Sequence, residues 1–255
     1  MNKAIVRKPA RNLSEGLTTV DLGRPDYATA IKQHRAYCTA LEKCGLELFV
    51  MEADEAFPDS TFVEDTAVLT KRCAIISRPG AASRVGEGDP IERVLRQSFT
   101  EVERIEEPGT LDGGDICETR NHFFIGISER TNEAGAEQLS RLLGALGHTT
   151  SLIDIRDVDG LLHLKSGLAA LSDTRLVVTE ELASRQEFAG YELIRVAAEE
   201  RYAANCVRVN DRVLIASGYS KLAATLMDLG YQTIQLEMSE FQKLDGGLSC
   251  LSLRF

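Results

Sequence analysis

Apolar positions along this chain recur in two periods, and the two periods take turns. From Tyr27 to Lys43, Ala28, Ile31, Ala36 and Leu41 return at near-helical spacing, and Cys44-Gly45 supplies a stop. Leu46 to Met51 then reads as a strand. Ala67-Val68-Leu69 and Cys73-Ala74-Ile75-Ile76 predict two strands around the polar pair Lys71-Arg72, and Ile91 to Phe99 predicts a helix. Asp115 to Cys117 and Phe123 to Ile127 predict another strand pair around Arg120-Asn121. Asn132 to Leu146 carries Ala136, Leu139, Leu142, Leu143 and Leu146 on one face and ends at Gly147, which predicts an amphipathic helix. Ser151 to Ile155 returns as a strand.

That order repeats: a short polar tag, a strand, a hairpin to a second strand, a helix, a returning strand. The tags are Phe62-Val63-Glu64-Asp65, Leu111-Asp112-Gly113-Gly114-Asp115, Leu162-His163-Leu164-Lys165-Ser166-Gly167, Tyr202-Ala203-Ala204-Asn205-Cys206 and Gly246-Gly247-Leu248-Ser249-Cys250. Counted from Glu64, Asp112, His163, Asn205 and Cys250, they lie about 42 to 51 residues apart, a period typical of repeat and propeller-like architectures. Five such modules can close into a ring, with the N-terminal strand Ala4 to Lys8 completing the fifth. Equivalent strand ends then meet around one central cavity, so residues as distant as Asp112 and Cys250 can share a site. The expectation is one α/β domain over residues 1–255, with no linker or low-complexity stretch to divide it.

Composition narrows the class. Hydrophobic content of 44% and charged content of 27% are ordinary for a globular protein, and a formal charge of −10 argues against a nucleic-acid or anionic-membrane surface. It is compatible with a cationic small-molecule substrate. No apolar run approaches a membrane span, and Met1 to Arg7 enters a strand-like segment with no signal-peptide core, so a cytoplasmic location is expected. The six cysteines, Cys38, Cys44, Cys73, Cys117, Cys206 and Cys250, form no C-x-x-C pair, and the four histidines lie far from zinc-finger spacing. Neither a disulfide framework nor a structural zinc site is expected. Cys38, Cys44, Cys73 and Cys206 sit among apolar neighbours and read as small core residues.

Cys250 differs in setting. It follows Gly246-Gly247, which lets the backbone turn sharply and lets another molecule approach, and it enters a short alternating run that predicts a strand. A nucleophilic thiol or a buried core cysteine would each suit that place. A free thiol is only slightly ionised at neutral pH, so catalysis needs a histidine partner or a cationic substrate. A histidine in turn needs an acceptor to fix its tautomer. His163 and Asp112 supply these chemistries at the same module position. A core histidine between Leu162 and Leu164, and a turn aspartate in Asp-Gly, are the structural alternatives.

Together, Phe62-Val63-Glu64-Asp65, Leu111-Asp112-Gly113-Gly114-Asp115, His163-Leu164-Lys165-Ser166-Gly167 and Asp245-Gly246-Gly247-Leu248-Ser249-Cys250 resemble the dimethylarginine dimethylaminohydrolases of the guanidino-group-modifying (pentein) superfamily. The resemblance covers nearly the whole chain in order. It implies a five-fold pseudosymmetric α/β propeller of ββαβ modules around a central active-site channel. It further implies Cys250 as nucleophile, His163 as general acid/base and Asp112 as its orienting partner, where some members carry Glu. Hydrolysis of N-methylated arginine to citrulline would then pass through a thiouronium adduct, without metal or organic cofactor. Asp65 and Glu64, with Asp59, would grip the guanidinium. Arg84 and Arg130 would bind the α-carboxylate. Leu13 to Thr19 would form a lid, and the backbone at Leu17 and Leu248 would receive the α-ammonium. A homodimer is compatible with this reading. Two alternatives stay open: an arginine deiminase acting on free arginine, and a non-catalytic guanidino-ligand binder.

Overall fold

The computed structural model describes residues 1–255. The chain opens with β1 (Lys3–Arg7), α1 (Tyr27–Lys43) and β2 (Glu47–Met51). Four modules follow: β3 (Ala67–Leu69), β4 (Cys73–Ile76), α2 (Gly88–Leu95) and β5 (Glu101–Arg104); then β6 (Ile116–Thr119), β7 (His122–Ile127), α3 (Glu133–Ala145) and β8 (Thr149–Asp154). Next come β9 (Leu168–Ala170), β10 (Arg175–Thr179) and β11 (Glu192–Val196), then β12 (Val207–Val209), β13 (Arg212–Ala216), α4 (Ser220–Asp228) and β14 (Gln232–Leu236). A single-turn α5 (Ser239–Gln242) and β15 (Leu253–Arg254) end the chain.

Each module is a three-stranded sheet built to one plan. The first two strands form a tight antiparallel hairpin; the third runs parallel to the second, as β3-β4-β5 and β6-β7-β8 show. A parallel neighbour needs a crossover, and the helices provide it. In the fifth sheet the hairpin is split: β1 pairs antiparallel with β15 and parallel with β2, so strands from the two ends of the sequence close the ring. The result is the five-fold α/β propeller that the repeat predicts.

Local chemistry sets the element ends. Asp26 caps α1, its Oδ1 accepting the Thr29 N–H at 2.8 Å, and Asn132 caps α3 by accepting from Gly135 at 2.8 Å. Gly45 and Gly147, at φ of 87° and 89°, turn the chain out of those helices. The apolar faces pack between modules as well as within them. Val68 and Ile75 of one module share a core with Phe123 and Leu139 of the next, and Val177 packs with Val213 and Leu222.

Three expectations change. The helix expected at Ile91 to Phe99 begins earlier, at Gly88, and is spent by Leu95. The module after His163 has no α-helix; a 3₁₀ turn at Gln186–Phe188 makes its crossover. The polar tags do not run straight into strands. All five coil into 3₁₀ turns, at Val63–Thr66, Gly113–Asp115, Leu164–Ser166, Ala198–Ala204 and Ser249–Leu251. Cys250 therefore sits in a turn, and the strand begins only at Leu253. These turns touch one another at the centre of the ring.

Candidate active site

The central turns carry a cluster of buried ionisable side chains that no folding requirement explains. Burying a charge is costly unless it is paired, and here the pairing is dense. Cys250, His163, Asp112, Asp65, Asp59, Arg84 and Arg130 line one cavity of about 30 Å³ on one face of the ring. Leu17 and the Leu244–Gly246 segment complete its wall.

His163 Nε2 lies 3.3 Å from Asp112 Oδ2, while the other oxygen of Asp112 accepts the Gly80 N–H at 3.0 Å. Burial disfavours the imidazolium, but Asp65 and Asp115, with the Asp112 hydrogen bond, outweigh it and raise His163 to about 9. Asp115 is wholly buried and saturated by Ser128 Oγ, Thr131 Oγ1 and the Leu164 N–H. Burial pushes the Asp65 carboxyl up; the His163 and Arg84 cations pull harder and hold it below the usual carboxylate range. A glycine is required beside these groups. A Cβ on Gly114 would lie 2.6 Å from His163 Nδ1 and 2.8 Å from Asp65 Oδ1.

The Cys250 thiol is pushed up to about 12, first by burial and then by the Glu64 and Asp65 carboxylates. Its one donor contact is the Gly247 N–H, 3.3 Å from Sγ. At rest the pair is therefore a neutral thiol beside an imidazolium. A cation placed in the cavity would counter both carboxylates and favour the thiolate.

Arg84 is fully buried and already committed. Its Nη1 donates to Asp65 at 2.6 Å, Nη2 to the Phe62 carbonyl and Glu87, and Nε to Glu87. Four of its five N–H groups are thus engaged, which leaves it as a brace for Asp65 with one donor free. Arg130 makes no ion pair and is the cavity's unspent cation.

The segment expected to form a lid is tied down at two points. Asp59 accepts the Leu17 N–H through both oxygens, at 3.1 and 3.2 Å, and Asp245 accepts the Thr19 N–H at 2.6 Å. Asp65, Asp112 and a His163 nitrogen lie within 4.8 Å of one another, close enough to hold a small cation, although Arg84 already supplies positive charge to Asp65.

One expected site residue points elsewhere. Glu64 does not face this cavity. It turns to the opposite side of the ring and pairs with Lys165 at 2.7 Å, because successive residues of a 3₁₀ turn point about 120° apart. The Leu248 side chain is buried in the core beside Cys250, and Leu244 joins the cavity lining. Asp115, Asp245 and Glu87 were not singled out from sequence. The Asp-Gly-Gly-Asp spacing is the signal that could have found Asp115. The same Asp-Gly-Gly run marks Asp245, and Glu87 left no signal.

Comparison with known proteins bears on this arrangement. A family described as N,N dimethylarginine dimethylhydrolase, eukaryotic, matches residues 25–251. The N(G),N(G)-dimethylarginine dimethylaminohydrolase of Pseudomonas aeruginosa is 47% identical over 252 residues, covering 98% of each chain. A crystal structure of the Pseudomonas aeruginosa enzyme, a cysteine-to-serine mutant complexed with citrulline, superposes with a TM-score of 0.97 at 45% identity, covering 100% of this chain and 99% of that one. A histidine-to-glycine dimethylarginine dimethylaminohydrolase, an adduct with S-methyl-L-thiocitrulline, superposes at 0.96 with 46% identity and full coverage of both chains. With near-complete coverage in sequence and in structure, and the ring of modules shared throughout, this chain belongs to the dimethylarginine dimethylaminohydrolase family.

Proposed function

We propose that the protein hydrolyses N-methylated arginines to citrulline and methylamine or dimethylamine, with the whole chain, residues 1–255, acting as one catalytic domain. The observation that carries this reading is the convergence of Cys250, His163, Asp112 and Asp65 on one cavity. Its negative side chains suit a guanidinium, and its thiol and imidazole suit covalent hydrolysis.

The substrate guanidinium brings its positive charge beside Cys250 and stabilises the thiolate; the thiol proton passes to water. The thiolate attacks the guanidinium carbon. His163, charged below about pH 9, donates its proton to the methylated nitrogen, and the amine departs. A thiouronium remains on Cys250. Neutral His163 then takes a proton from water, the resulting hydroxide attacks the same carbon, and the C–S bond breaks to give citrulline and the free cysteine. Asp112 holds the imidazole in register throughout. Asp65, braced by Arg84, orients the guanidinium, with Asp59 at the outer end of the cavity. Arg130, which has no partner of its own, receives the α-carboxylate, and the backbone at Leu17 and Leu244 receives the ammonium. The Leu17 and Thr19 N–H groups are tied to Asp59 and Asp245 beside this cavity, so the lid opens for entry.

All six cysteines are free, which suits a reducing cytoplasmic setting, and no helix is long and apolar enough to cross a membrane. The test is to incubate the protein separately with asymmetric dimethylarginine, monomethylarginine and arginine, and to quantify citrulline and released amine. Faster turnover of the methylated substrates is expected. Equal or faster turnover of arginine would make the protein a deiminase, and no citrulline from any of them would leave a binder.

A further inference from the structure

Behind Cys250, on the face of the ring opposite the substrate cavity, lies a second cavity of about 180 Å³. Glu64, Lys165, Asn205, Ser249 and Arg254 form the layer between the two. Ser249 donates its only hydroxyl proton to Glu64 Oε2 at 2.5 Å, and its Oγ accepts from Asn205 Nδ2 at 3.0 Å. That oxygen lies 4.0 Å from Cys250 Sγ. With its proton committed, it offers the sulfur lone pairs rather than a donor. The back wall of the nucleophile is therefore an acceptor backed by a buried carboxylate, which opposes a thiolate. Lys165 sits on the far oxygen of that carboxylate at 2.7 Å, and Arg254 stands at 3.4 Å.

We propose that Lys165 is a positioning residue for the reaction: acting through Glu64 and the Ser249 hydroxyl, its ammonium governs how readily Cys250 gives up its proton. The inference rests on Cys250 being the nucleophile of the proposed hydrolysis. The other charged or titratable groups around the sulfur are Asp65, Asp112 and His163 on the substrate side, Asp245 from the loop before it, and Tyr202, whose hydroxyl donates to the Gly246 carbonyl. Asp59, Arg84 and Arg130 lie farther along the same cavity. None of these touches Glu64 from behind, so Lys165 and Arg254 alone offset it there.

The test needs no substrate. Alkylation of Cys250 by iodoacetamide is followed residue by residue with mass spectrometry between pH 6 and 11, for wild type, Lys165→Met, Glu64→Gln and the double variant. A unit charge removed at this range changes the thiolate fraction by about tenfold. Lys165→Met should slow alkylation at pH 8 by about that factor, Glu64→Gln should hasten it, and the double variant should return close to wild type. Lys165→Arg should keep the wild-type profile. Loss of packing alone would move both single variants the same way, and that result, or no movement in either, overturns the proposal. If Lys165→Met does not fold, Glu64→Gln against the double variant still decides, since that pair differs by the lysine charge alone. A correct alkylation pattern without citrulline release would sink the substrate assignment and leave this one standing; the converse sinks only this one.

Discussion

At the scale of single residues, one environment sets two opposite proton affinities. Burial with Glu64 and Asp65 keeps Cys250 protonated, while Asp65, Asp115 and Asp112 keep His163 charged. Cys250→Ser should abolish turnover while the fold survives, and acid-quenched wild-type reactions should show an adduct on Cys250 by mass spectrometry. His163→Gly should still bind substrate but lose about 10²- to 10⁴-fold in hydrolysis, the usual worth of a general acid/base. In wild type, kcat/KM should fall as pH rises through about 9, where His163 loses the proton it must donate; that limb should vanish in His163→Gly. Asp65→Asn keeps the shape but turns an acceptor into a donor against a cation, so kcat/KM should drop on the order of 10²- to 10³-fold. Cys250, His163 and Asp112 were legible in the sequence because each falls in one of the recurring polar tags, although Asp112 and His163 precede their turns and Cys250 sits inside its own. Glu64 was not, because neighbouring carboxylates in a turn differ only in which way the turn aims them.

At the scale of elements, the hairpins and the helices α1 and α3 were legible because their periodicity and caps are local. The 3₁₀ turns were not, since three or four residues of polar sequence look alike whether coiled or extended. Those turns meet at backbone distance at Gly113, where a Cβ would lie 2.0 Å from the Glu64 carbonyl oxygen, and Gly114 leaves room for the His163 and Asp65 side chains. Gly114→Ala should displace His163 or Asp65 and cost activity far more than stability, checked by comparing kcat/KM with the melting temperature. The lid is the other element with a readable mechanism. Asp245 has a positive φ of 57°, so Asp245→Gly removes the carboxylate without straining the backbone. Losing a charge-assisted hydrogen bond should loosen the lid, raising the KM by about tenfold and quickening amide exchange at Thr19.

At the scale of the whole molecule, two buried histidines bound the pH range of stability. His163 is raised to about 9, so the stability it contributes is full below its unfolded value near 6.5 and is lost as pH climbs to about 9, on the order of 3 kcal/mol. His34 is lowered by burial to about 4, so its contribution is full above 6.5 and is lost as pH falls toward 4. Chemical denaturation across pH should give a maximum near 6 to 7, with the alkaline limb flattened in a His163→Gln variant. The ring itself was legible from the module period and the matching tags. Its closure has a temporal consequence. β1 leaves the ribosome early and finds β2 soon after, yet its antiparallel partner β15 follows only after the other thirteen strands. At about 5 to 20 residues per second, that partner arrives roughly 12 to 50 seconds later. The nascent chain therefore holds its first sheet half-built while the four modules between are made, and the thiol of Cys250 finds its charged neighbours only after all of them have emerged.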